Sequence, residues 1–233
     1  MNTNTCSPKK IHLAVFDFDG TIIEGSSPIS LVSCLRSDNK MGKRNLYKVA
    51  LWAFKYRFKI PQEQETSRRL VFESFKGMSQ PEVKAYMSSF YLKKIKSKLR
   101  PLALKQIENA HNAGYTPVLV SASFECLIDV VARDLQIEHY IGTKMKLDSN
   151  GAYTNRMDGE AVEGAHKLIA LTRYANANFG KDAWTIDYSF ADHHSDFEIL
   201  NAAKHPVAVS PDKTLLRTAN EKGWEIRNWS LRS

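Results

Sequence analysis

The sequence predicts an α/β fold, a doubly wound parallel sheet that carries an all-helical insert, and three observations lead there. An apolar run, IHLAVF at 11–16, ends in two aspartates placed two apart. Residues 28 to 92 hold helical patterns and no convincing strand. From Pro101 onward helix and strand patterns alternate, as a parallel sheet with helical crossovers requires.

The opening strand comes first. Ile11, Leu13 and Val15 alternate with His12, Ala14 and Phe16, all apolar except His12, so the strand reads as buried on both faces. Asp17 and Asp19 then point the same way just past its carboxyl end, where open α/β sheets hold their ligands. Two carboxylates held close raise each other's pKa unless a cation or proton intervenes. A divalent metal resolves that conflict; a solvated Asp-Gly turn is the plain alternative.

Next come four helical stretches, SPISLVSCLR, KRNLYKVALWAFKYRF, PQEQETSRRLVFESFKG and SQPEVKAYMSSFYLKK, the last opened by Ser79, Pro81 and Glu82 as a capped start. PLALKQIENAHNAGY is a helix stopped by Gly114, TPVLVSAS a short buried strand and CLIDVVARDLQI a helix. KLDSNGAYTNRMDG is a hairpin or loop around an Asn-Gly turn. The remainder reads as helix GAHKLIALTRYANANF, strand AWTIDYSFAD, helix SDFEILNAA, strand PVAVS and helix TLLRTANEKG. The expected division is a core made of residues 1–25 and 96–233 with a helical cap of 26–95.

Composition narrows the class. The 233 residues are 43% hydrophobic and 25% charged, an ordinary soluble globular balance. No window approaches the ~20 apolar residues of a membrane-spanning helix, and MNTNTCSPKK lacks a signal-peptide core, so cytoplasm is the expected location. Cys6, Cys34 and Cys126 are odd in number, far apart and outside any C-x-x-C pattern, which argues against a disulfide framework or a zinc site. The net charge of +8 is uneven. Residues 24–100 carry 17 Lys and Arg against 6 Asp and Glu, a net +11, and the rest carries 16 against 19, a net −3. A basic insert above an acidic core suits an anionic partner such as a phosphate ester, anionic lipid or nucleic acid. No nucleic-acid-binding motif accompanies the basic residues, so nucleic acid is not expected.

Polar groups cluster at strand ends where packing would not choose them. Ser121 follows PVLV, Asp192 and Asp196 follow TIDYSFA, and Lys167 opens a helix between them. Three carboxylates can hold a magnesium ion, a hydroxyl and an ammonium can hold phosphate, and a carboxylate facing that phosphate is a nucleophile. Each residue also has a plain reading. Ser121 suits a helix N-cap, Lys167 a solvated helix lysine, and Asp196 a cap for SDFEILNAA. His193 and His194 suggest a transition metal, but neighbours in a turn usually point apart.

The ordered motifs DFDGT (17–21), VSAS (120–123), EGAHK (163–167) and ADHHSD (191–196), with the tail HPVAVSPDKTLLRTANEKGWEI, cover nearly the whole chain. On these motifs the sequence resembles the haloacid dehalogenase superfamily, in its phosphoserine-phosphatase-like branch with a helical cap after the first motif. The resemblance implies a Rossmann-like core and a Mg2+-dependent phosphomonoesterase acting on a small phosphate ester. By the same matching Asp17 is the nucleophile that becomes an aspartyl phosphate and Asp19 the general acid and base, protonated because its neighbours are acidic. Ser121 and Lys167, with Ala122, Gly20 and Thr21, hold the phosphoryl group. Asp17, the main-chain carbonyl of Asp19, and Asp192 bind magnesium, supported by Asp196.

The specificity positions depart from that pattern. Phosphoserine phosphatases carry a glutamate nine residues after the nucleophile; here the position is Ser26, with Glu24 two places early, and Ser195 replaces an asparagine of the fourth motif. Phosphoserine is therefore not the expected substrate, and a phosphoserine phosphatase stands as an alternative. The cap stretch 43–59 interleaves two helical stripes, Leu46, Val49, Ala50, Ala53 and Tyr47, Leu51, Phe54, Phe58, with six bases. It reads as a buried cap helix with snorkelling bases; a face that meets anionic lipid is the alternative, with phosphatidylglycerophosphate as substrate. A non-catalytic anion- or membrane-binding protein that has kept the fold is the competing class.

Overall fold

The computed structural model describes residues 10–41, 68–69 and 71–230. Its strands are β1 (Ile11–Phe16), β2 (Thr116–Phe124), β3 (His139–Thr143), β4 (Met145–Leu147), β5 (Tyr153–Met157), β6 (Trp184–Ala191), β7 (His205–Val209) and β8 (Glu225–Arg227). Six of them pair in parallel in the order β3-β2-β1-β6-β7-β8, while β4 and β5 form the antiparallel hairpin around Asn150 and Gly151. β3 and β8 were not foreseen. Both are sheet edges, and β8 is mostly exposed, so neither shows the apolar run that marks the buried inner strands.

Side chains of β1 go alternately to two apolar cores, as a strand buried on both faces must. Ala14 and Phe16 join Leu119, Phe190 and the helices Pro101–Asn112 and Glu125–Asp134. Leu13 and Val15 join Val118, Val120, Ile186 and the helix Ala165–Phe179 on the other face. The first core continues into the insert without a break, through Leu31 and Leu35 of Ser27–Ser37 and Val83, Met87 and Phe90 of Gln80–Phe90.

Local chemistry sets the helix ends. Glu82 Oε2 accepts from the Ser79 amide and hydroxyl, each at 2.7 Å, which closes the start of Gln80–Phe90. That helix runs on through a π turn, Tyr91–Ile95, and a short 3-10 turn, Lys96–Lys98. Of the stretch 61–77 the described part is helical at 68–69 and 71–72 and then tightens to a 3-10 turn, Glu73–Phe75. The stretch 43–59 and Cys6 lie outside the described residues. Where the chain enters and leaves the insert its two strands of backbone touch: Glu24 N bonds Lys98 O, and Arg100 N bonds Ile22 O, each at 2.9 Å. Among the described residues no helix is long and apolar enough to cross a membrane.

Candidate active site

β1 sits between β2 and β6, and the chain runs first to one side of it and later to the other. The carboxyl end of β1 is therefore the switch point, where loops diverge and leave a crevice. Asp17 stands there, its amide donating to Phe190 O at 2.9 Å. Ser121 comes from β2, Asp192 directly follows β6, and Lys167 comes from the first turn of Ala165–Phe179.

Lys167 Nζ lies 2.5 Å from Asp17 Oδ1 and 2.8 Å from Asp196 Oδ1, with all three residues buried. Asp17, Asp192 and Asp196 each offer a carboxylate oxygen within 4.8 Å of the others. Burial pulls the Lys167 pKa down, but the two carboxylates outweigh it and hold the ammonium above its ordinary range. Three carboxylates still exceed one ammonium. Burial first, then Asp196 and Asp192, push Asp17 well above the usual carboxylate range, and burial with Asp196 raises Asp192 to about 7. The crowded carboxylates thus favour a cation between them, and their hard oxygen donors fit magnesium rather than a soft metal.

Gly20 adds a geometric fit. A Cβ there would stand 2.0 Å from Asp192 Oδ2, and the backbone φ is +81°, so only glycine lets Asp192 approach. Thr21 donates weakly to Asp17 Oδ2 (3.3 Å) and Asp192 Oδ1 (3.4 Å). Its hydroxyl is thereby engaged with the carboxylates rather than displayed to a phosphate.

Asp19 is turned away from this set. Its carboxylate accepts from the Ser27 amide, from Ser27 Oγ at 3.0 Å and from Ser123 Oγ at 2.5 Å, and the two hydroxyls are 2.7 Å apart. Its pKa is raised, and the cause is burial; Ser123 and Ser27 pull it back down. The expectation that acidic neighbours keep Asp19 protonated is replaced by desolvation. Ser27 and Ser123 were not singled out from the sequence. Ser123 stands two residues from Ser121 on one strand, a period-2 signal that was available.

The remaining candidates are placed as follows. Ser121 Oγ accepts from Ser123 N at 3.0 Å inside β2, and the next helix is capped by Phe124, so Ser121 is not an N-cap. Ala122 is partly exposed beside it, its carbonyl held by Thr143 Oγ1 at 2.8 Å. Asp196 makes no cap bond to its own helix and pairs with Lys167 instead. Ser26, in place of the glutamate, is the N-cap of Ser27–Ser37, and Glu24 is exposed. Ser195 Oγ lies 2.9 Å from His193 Nδ1. His193 and His194 do not point apart: their ring centres are 4.3 Å from each other, and both reach Asp212 Oδ2, at 3.3 and 2.9 Å.

Comparison with known proteins follows this geometry. A family model described as haloacid dehalogenase-like hydrolase matches residues 14–201. The chain belongs to that family. A histidinol-phosphatase of Neisseria meningitidis is 26% identical over 152 residues, 65% of this chain and 68% of the relative. Phosphoserine phosphatase SerB1 of Mycobacterium tuberculosis is 25% identical over 225 residues, 94% of this chain and 71% of the relative. A Bordetella pertussis protein of unknown function superposes with a TM-score of 0.84 at 21% identity, covering 96% of this chain and 100% of its own. A substrate-bound phosphoserine phosphatase superposes at 0.61 with 18% identity, covering 96% and 95%. The chain is accordingly a haloacid dehalogenase-like hydrolase, and it shares the fold of the phosphoserine phosphatase it superposes on.

Proposed function

We propose that this hydrolase is a Mg2+-dependent phosphomonoesterase working through a phosphorylated Asp17. The observation that carries the reading is the division of the two aspartates. Asp17 shares a buried cluster with Lys167, Asp192 and Asp196, while Asp19 stands apart as a desolvated acid held by two serines. One cluster handles charge and the other handles protons.

In this reading Asp17 Oδ attacks phosphorus as the ester oxygen leaves, and Asp19 gives that oxygen its proton. Burial raises the Asp19 pKa and so favours its protonated, acid form. The acyl phosphate on Asp17 is then hydrolysed by a water that Asp19, now ionised, deprotonates, so the acid is regenerated. Lys167 and Ser121, with Ala122 and Gly20 lining the crevice, hold the phosphoryl oxygens, and Thr21 steadies the carboxylates. Asp17, the Asp19 carbonyl and Asp192 would hold magnesium, with Asp196 in support. When bound, the ion neutralises charge on the phosphoryl group.

The paired backbone at 22–24 and 98–100 supports a cap of 26–95 on a core of 1–25 and 96–233. The +11 charge of residues 24–100, most of it within the cap, favours small anionic esters. Turnover of a generic aryl phosphate that needs magnesium and stops with chelator is the expected result. Failure across a broad panel that includes phosphoserine and histidinol phosphate overturns the reading, as does acid-stable phosphate on a residue other than Asp17.

A further inference from the structure

The helix Ser27–Ser37 and the helical residues 68–69 and 71–72 stand beside the end of β2 and border a partly open pocket of about 130 Å³. Its wall is apolar, with Ile29, Val32, Val71, Phe72, Phe124 and Leu127 contributing. The polar groups in that wall are already engaged. Ser27 and Ser123 hold Asp19 and each other, and Thr143 Oγ1 is bonded to Ala122 O and to Val162 N. Arg68, the charged residue of the lining, clasps Glu163 through both guanidinium nitrogens, Nη1 at 3.1 Å. Among the described residues the wall therefore offers no free counter-charge to an amino or carboxylate group, and an ester bearing them would lose solvation on entry.

Position ties this cavity to the chemistry. Ser27 and Ser123 belong both to its wall and to the carboxylate of Asp19, the group that meets the leaving oxygen. Whatever alcohol leaves must stand beside it. A dry apolar cavity of ~150 Å³ takes one benzene ring, so about 130 Å³ fits a single ring or a branched alkyl group.

We propose that this cavity receives the alcohol half of the substrate and that the preferred ester carries one uncharged ring or branched alkyl group of that size close to the ester oxygen. The proposal rests on the phosphatase reading above. The full chain with magnesium is assayed on benzyl phosphate, ethyl phosphate and phosphoserine, whose alkyl leaving groups differ little in acidity. Benzyl phosphate should exceed ethyl phosphate in kcat/KM by about 30-fold through burial of the ring, and phosphoserine should not exceed ethyl phosphate. Val32→Glu places a charge in the wall and should cut the benzyl-to-ethyl ratio about tenfold, mostly through KM. The wild-type comparison decides the matter if that variant does not fold.

Calorimetric binding of benzylphosphonate against ethylphosphonate reads the cavity without turnover. Tighter benzylphosphonate binding with no hydrolysis of any ester sinks the phosphatase reading and leaves the cavity assignment standing. Equal binding and equal turnover of the benzyl and ethyl compounds overturns the cavity assignment and leaves the phosphatase. Preference for phosphoserine, or for phosphatidylglycerophosphate in mixed micelles, overturns it too.

Discussion

Replacing Lys167 with methionine keeps the length of the side chain and removes its charge from between two buried carboxylates. The wild-type ammonium touches Asp17 at 2.5 Å and Asp196 at 2.8 Å, and its raised pKa means that this contribution is fully present below the unfolded lysine pKa and lost as pH rises from there through the folded one. Without it, carboxylate oxygens within 4.8 Å of each other repel. At an effective dielectric of ~20 that is about 3 kcal/mol, in line with the ~3–5 kcal/mol for breaking a buried pair. The folded variant escapes by taking up a proton, which puts a folded carboxyl pKa above its unfolded value. The unfolded state then binds fewer protons, so stability falls as pH rises from about 4 toward that folded pKa. Urea unfolding of metal-free wild type and Lys167→Met should differ by about 3–4 kcal/mol at pH 8 and by markedly less at pH 5, and magnesium should return part of the loss at pH 8. A difference under about 1 kcal/mol at pH 8, or the same difference at both pH values, refutes the reasoning.

Three further outcomes follow from the same geometry. Asp17→Asn should abolish turnover, whereas Asp19→Asn should slow it and let phosphate accumulate on the peptide containing Asp17, seen by acid-quenched mass spectrometry; an unmodified peptide counts against Asp19 as the base. Ser123→Ala removes a hydroxyl that pulls the Asp19 pKa down, so limbs of the pH–rate profile set by Asp19 should move up by about one pH unit, and a downward move would contradict the assignment. Gly20→Ala forces Asp192 away from a Cβ that would otherwise lie 2.0 Å from its oxygen, and magnesium affinity, read by thermal-shift titration, should fall about 10-fold or more. Unchanged affinity would remove Asp192 from the metal site.

Some elements were legible because their signal is local. β1 and β2 are apolar runs with no competing helical period, Ser79 and Glu82 are spaced for the reciprocal cap they make, and Asn150-Gly151 is a turn wherever strands flank it. β3 and β8 were not, because an edge strand buries one side or less and loses the pattern. β6 hides a different device. Strict alternation would put Ile186, Tyr188 and Phe190 on one face, but a bulge at Asp187, pinned by His12 and Lys204, moves Tyr188 and Phe190 to the opposite face from Ile186. Phe190 then stacks on Phe16 with ring centres 4.7 Å apart, and its carbonyl accepts from the Asp17 amide.

The sequence by itself determined the chemistry on offer: that acids follow β1 and β6, that a hydroxyl lies in the last half of β2 and that a lysine opens the helix Ala165–Phe179, none of them a packing residue. Strand ends are local facts, and type and order suffice to read them. Tertiary structure alone decided the division of labour. Asp17 faces Lys167 from 150 positions away, Asp19 turns to Ser27 and Ser123, and the two histidines converge on Asp212. It also decided that the space beside Asp19 is apolar, since that wall is assembled from four separate segments whose side chains meet only when the insert folds over the sheet. Contacts between residues far apart in the chain depend on how elements pack, and no local period encodes them.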